Sequence, residues 1–85
     1  MTWILLWSEP AVADLAYLNA KQADRVRAVV RRFADTGHGD VKKLKGIQAE
    51  YRLRVGALRV RFTIDGKART LTVLRVLPRS EAYRD

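Results

Sequence analysis

Eighty-five residues carry 17 Lys and Arg against nine Asp and Glu, a net charge of +8, with 48% apolar residues and no cysteine. Such a length predicts one domain, residues 1–85, with a modest core. The absence of cysteine excludes a disulfide framework or a zinc ribbon, and a reducing cytoplasm fits best. Residues 1–40 hold five bases and five acids, whereas residues 41–85 hold twelve and four. The whole excess therefore sits in the second half, which predicts a binding face for an anion and not a uniformly basic surface.

The opening, Met1-Thr2-Trp3-Ile4-Leu5-Leu6-Trp7, is too short to span a membrane and lacks a basic leader region. Being apolar on both faces from Trp3 to Trp7, it predicts a strand inside a sheet and away from a free edge. Ser8 can cap a helix beginning at Glu9, and Pro10 is tolerated in a first helical turn. Ala11, Leu15 and Leu18 recur at helical spacing and predict a helix from Glu9 to Leu18, after which Asn19 breaks or caps. A second helix is expected from Ala20 to Ala34, burying Ala23, Val26, Val30 and Phe33 and presenting Arg25, Arg27, Arg31 and Arg32. Gly37 suits the left-handed position after it. Val41 to Gly46 reads as a linker. Three strands come next, joined by turns at Gly56 and at Asp65-Gly66-Lys67, and Pro78 ends the last. That last strand, Thr70 to Leu77, is the more apolar and belongs in the sheet interior. The fold expected is α+β: strand, helical hairpin, then a three-stranded meander, forming a mostly antiparallel sheet with helices on one face.

Two of these strands carry arginine at alternate positions, Tyr51-Arg52-Leu53-Arg54-Val55 and Leu58-Arg59-Val60-Arg61-Phe62. Successive strand side chains point to opposite faces, so Arg52, Arg54 and Arg59 share one face, which Arg61 and Arg75 can join. A guanidinium has a permanent charge and fixed donors that suit phosphate, so the pattern points to a polyanion such as RNA. Lys42, Lys43 and Lys45 add candidate backbone contacts. Trp3, Trp7 and Phe62 read as core rather than as base-stacking platforms, Tyr17 and Tyr51 as structural, and His38 as an exposed loop residue.

The succession Lys42-Lys43-Leu44-Lys45-Gly46, Tyr51-Arg52-Leu53-Arg54-Val55-Gly56, Arg59-Val60 and Leu74-Arg75-Val76, then Arg79-Ser80-Glu81-Ala82-Tyr83-Arg84, resembles the RelE/ParE toxin superfamily. These are the toxin halves of type II toxin–antitoxin pairs. RelE-like members cut mRNA in the ribosomal A site, and ParE-like members poison DNA gyrase on the same fold, so fold alone leaves the activity open.

The resemblance implies a catalytic set of Arg52, Arg54, Arg59, Arg79 and Tyr83, beside which the residues themselves suggest Lys42, Lys43, Lys45, Arg61 and Arg75 as RNA contacts. RelE-like cleavage is metal-free, so the resemblance implies no metal or cofactor: the ribose 2′-OH attacks the adjacent phosphorus and the 5′-oxygen leaves. It needs positive charge at the phosphate and groups that move two protons. Arginines meet the first need, but arginine is a poor base. RelE has lysines where Arg52 and Arg54 stand, and Pro78 occupies a place where the family often has histidine. Tyr83 is then the remaining candidate base, while Glu50 and Glu81 read as charge partners of neighbouring arginines.

The first expectation is accordingly a ribosome-dependent mRNA endoribonuclease whose partners are a cognate antitoxin, the ribosome and mRNA. The alternative is a ParE-like gyrase inhibitor without nuclease chemistry. A plain nucleic-acid-binding module would explain the charge but not the Arg79 to Tyr83 tail.

Overall fold

The computed structural model describes residues 2–44 and 50–81. Its elements run β1 (Ile4–Trp7), α1 (Glu9–Tyr17), α2 (Ala20–Thr36), β2 (Val41–Leu44), β3 (Glu50–Val55), β4 (Leu58–Asp65) and β5 (Thr70–Pro78). The strands form one sheet in the order β1-β5-β4-β3-β2. The pairs β2–β3, β3–β4 and β4–β5 are antiparallel, and β1 lies parallel to β5. The expected α+β architecture is thus present, with two changes.

The first change concerns β1, which the sequence predicts as an interior strand. It is an edge strand, paired among the described residues with β5 alone. Its inward side, with Leu5 and Trp7, packs against the core, while Ile4 and Leu6 remain 58% and 51% exposed. Apolar residues on both faces reflect an outer face left open, not a second neighbouring strand. The second change concerns the expected linker. Val41–Leu44 is a strand, β2, on the opposite edge. Val-Lys-Lys-Leu has no two-residue alternation to announce a strand, and its central lysines are the kind of residue that keeps a free edge soluble. The rest of the expected linker, Lys45 and Gly46, lies outside the described residues.

Local chemistry sets the helix ends. Ser8 Oγ accepts from Ala11 N–H as the N-cap of α1 and donates to the Leu74 carbonyl at 2.9 Å, fastening the helix start to β5. Asn19 caps α2 through Gln22 N–H. Gly37, at φ 77°, ends α2 in the left-handed conformation, its N–H donating to the Phe33 carbonyl.

The core gathers Ala11 and Leu15 of α1 and Ala23, Val26, Val30 and Ala34 of α2. It sets them against Leu53, Val55, Val60, Phe62, Leu71, Val73 and Val76 of the sheet. Phe33, expected to be buried, is half-buried and meets Phe62 with ring centroids 5.4 Å apart. Tyr51 stacks on Phe62 at 5.5 Å, as a structural residue should. Tyr17 does not fit that expectation, for it is 91% exposed at the end of α1. The residues that alternate with the core positions of β3 and β4 face away from the helices.

On β5 this alternation is interrupted. Arg61 pairs with Arg75 but Phe62 pairs with Val73, so Leu74 is the extra residue of a β-bulge. Before it Leu71 and Val73 point inward. After it Val76 does, which sends Arg75 and Leu77 to the outer face.

Candidate functional site: an arginine face

Residues directly opposite on neighbouring strands share a face, so the register sorts the outer side chains into rows. One row is Arg54, Arg59 and Leu77. The next, two residues along, is Lys42, Arg52, Arg61 and Arg75, a basic residue on each of four strands. Lys43 pairs with Tyr51 and so lies on the helix side of the sheet, apart from this face. Among the sequence-predicted residues, Lys45 and Tyr83 lie outside the described residues.

Arg59 is the centre of the first row. It is only 5% exposed, the one charged residue in the buried set among the described residues. Its Nη1 donates to the carbonyls of Gly56 and Leu58, each at 2.9 Å, and Gly56 permits the tight turn between β3 and β4 with φ 59°. Nε of Arg59 has no hydrogen-bond partner among the described residues. Burial lowers its pKa most, and the charges of Arg54, Arg52 and Arg79 lower it further, with Asp40 alone opposing. A buried cation ringed by cations is costly until an anion arrives.

Arg79 joins this group through the backbone, its N–H donating to Ala57 O at 3.0 Å beside the turn. Arg54 is exposed, and its N–H is held by the Asp40 carbonyl at 2.9 Å. The structure therefore brings Arg52, Arg54, Arg59 and Arg79 together.

Arg61 and Arg75 are held differently. Arg61 Nη2 donates to Glu50 Oε2 at 2.6 Å, both side chains largely buried, as the charge-partner reading of Glu50 expects. Arg75 forms a two-pronged pair with Asp14 of α1, Nε to Oδ2 at 2.8 Å and Nη2 to Oδ1 at 3.1 Å. That hydrogen bonding and the Asp14 charge raise the Arg75 pKa, burial opposes them, and Glu81 adds to the rise. Asp14 Oδ2 also accepts the Val76 N–H at 2.8 Å. Nothing in the sequence singles out this carboxylate. It lies 61 residues from its partner, and no local spacing advertises the pairing.

Among the described residues no group of three or more His, Cys, Asp or Glu could hold a metal ion. What the face can do is bind and stabilise negative charge, and Arg59 is its most strongly desolvated donor.

A mixed five-stranded sheet backed by two helices is the architecture of the RelE-like toxins. The archaeal RelE in its complex with RelB from Pyrococcus horikoshii OT3 superposes with a TM-score of 0.80 at 25% identity, covering 96% of this chain and 100% of that one. The toxin–antitoxin complex RelB–RelE from Methanococcus jannaschii gives 0.74 at 27% identity, covering 92% and 94%. A variant of Escherichia coli RelE in the free state gives 0.80 over 96% and 88%, and at 14% identity it shows the shared fold. No curated protein matches the sequence significantly. The family model described as the ParE toxin of the type II toxin–antitoxin system parDE matches residues 5–83, so the chain belongs to that family, within the RelE/ParE toxin superfamily. It is a toxin of a type II toxin–antitoxin system.

Proposed function

We propose that this toxin is a ribosome-dependent mRNA endoribonuclease. The observation that carries the reading is Arg59, a buried guanidinium with Arg52, Arg54 and Arg79 around it. In 2′-OH attack the P–O2′ bond forms as the P–O5′ bond breaks, leaving a 2′,3′-cyclic phosphate and a free 5′-hydroxyl. The phosphoryl oxygens gain negative charge on the way. Donors fixed in place before the reaction stabilise that charge without reorganising, and a single well-aimed donor is worth about 10²–10³ in rate. Proton transfer needs groups other than guanidinium, and Tyr83 is the residue we assign to it. Ribosomal positioning of the mRNA would supply the alignment that an open sheet face lacks.

Its partners on this reading are the ribosome, mRNA and a cognate antitoxin, in the cytoplasm. The archaeal relatives are toxin–antitoxin complexes. An antitoxin segment combining acidic and apolar residues suits the arginine face together with the cleft of about 380 Å³ lined by Trp7, Val12, Leu15 and Ala16. No described helix is long and apolar enough to cross a membrane.

A second reading, inhibition of DNA gyrase, is favoured by the ParE family model. One experiment separates the two. Primer extension on mRNA from programmed ribosomes incubated with the protein should show cuts confined to the A-site codon and absent without ribosomes. Uncut mRNA together with blocked gyrase supercoiling would replace the nuclease reading by the gyrase one.

A further inference from the structure

We infer that the outer sheet face is a track for two consecutive phosphates of an extended single strand, with a second phosphate subsite at Lys42, Arg52 and Arg61. The inference deepens the RNA reading of the same face, on which it rests. Three rows carry it. The Arg54–Arg59 row and the Lys42–Arg52–Arg61–Arg75 row are two residues apart along β3 and β4. Two residues of strand advance about 6.7 Å, the step between neighbouring phosphates of an extended chain. The two rows thus stand in register with two adjacent phosphates of a strand lying along β3 and β4.

The third row closes the track. Two residues further along, the outer positions are Leu44, Glu50, Thr63 and Thr72. They offer no cation and one carboxylate. Glu50 also holds Arg61 at 2.6 Å, so it aims the second subsite while repelling a third phosphate. Nε of Arg61 is buried without a hydrogen-bond partner among the described residues, an unmet donor on the row. Lys42 is exposed and Arg52 half-buried, so the row grades from a solvated charge at the β2 edge to a fixed one at β4. Arg75 is committed to Asp14 and marks the far end of the row.

The test uses the free protein and oligodeoxyuridylates, which lack the 2′-OH and cannot be cut, with one to four internal phosphodiesters. NMR titration at several salt concentrations gives affinity and its salt dependence. Each neutralised phosphate of a single strand contributes about 0.7 to the slope of log K against log salt. We expect the slope to rise by about 0.7 from one phosphodiester to two and then to level off. Lys42→Ala should remove that second increment and leave the first. Equal slopes for one and two phosphodiesters, a slope climbing evenly to four, or a second increment that survives Lys42→Ala would each overturn the track. Binding with this pattern in a protein that never cuts mRNA would end the nuclease reading and keep the track. Cutting on ribosomes with no two-phosphate increment would do the reverse.

Discussion

Arg59 sits where burial and three like charges all oppose its charge, and its partners are two carbonyls of the turn beside it. A cation kept in such a place is held for a ligand, because removing one costs the fold little. Arg59→Met should therefore keep or raise the melting temperature, the freed carbonyls being hydrated at the exposed turn, while A-site cleavage falls by about 10²–10³. Circular dichroism melts beside primer extension check both halves, and a variant that unfolds would tie Arg59 to stability instead. At this scale the sequence is readable wherever alternation governs: Arg52, Arg54, Arg59 and Arg61 share the face that their spacing predicts. It is unreadable where pairing is tertiary. Lys42 and Lys43 look equivalent in sequence, yet only Lys42 joins the arginines, because the register of β2 on β3 decides it.

Among the elements, the join between α1 and β5 governs how the face is presented. Beyond the end of β1, β5 has a free edge, and Asp14 accepts the Val76 N–H there while gripping Arg75. Asp14→Ala leaves that N–H and a guanidinium without their acceptor and should destabilise the fold by about 1–3 kcal/mol. In a domain of this size each kcal/mol lowers the melting temperature by about 4–8 °C. Asp14→Asn should recover part of the loss, since its amide oxygen still accepts from Val76, and thermal melts of the pair distinguish the backbone contribution from the charge. The helices are legible because capping and periodicity are local: Ser8, Asn19 and Gly37 all take the roles their positions suggest. The edge strands are not. An apolar run says that a strand is wanted without saying what covers its second side, and four residues of β2 carry too little pattern to stand out from a loop.

At the scale of the molecule, charge is unevenly spread. The excess positive charge belongs to residues 41–85, and in the sheet it gathers on the face turned from the helices. Anything that binds the folded face and not the unfolded chain must stabilise the fold by mass action. Inorganic polyphosphate should accordingly raise the melting temperature at low ionic strength, and the rise should fade as salt screens it. A shift of equal size in the Arg59→Met variant would show that the gain comes from net charge alone and not from the built site.

β5 comes after every other described strand in the chain yet is a middle strand of the sheet, with β1 hydrogen-bonded to it from Ile4 against Thr70 to Trp7 against Val73. Contacts between segments so far apart close late in folding. During synthesis the N-terminal strand has nothing to pair with until that segment has cleared the exit tunnel, and neither Arg75 nor Arg79 is in place before then. On the proposed function, the arginine face is completed only once β5 has emerged, so synthesis of the toxin runs through a stage in which that face is not yet built.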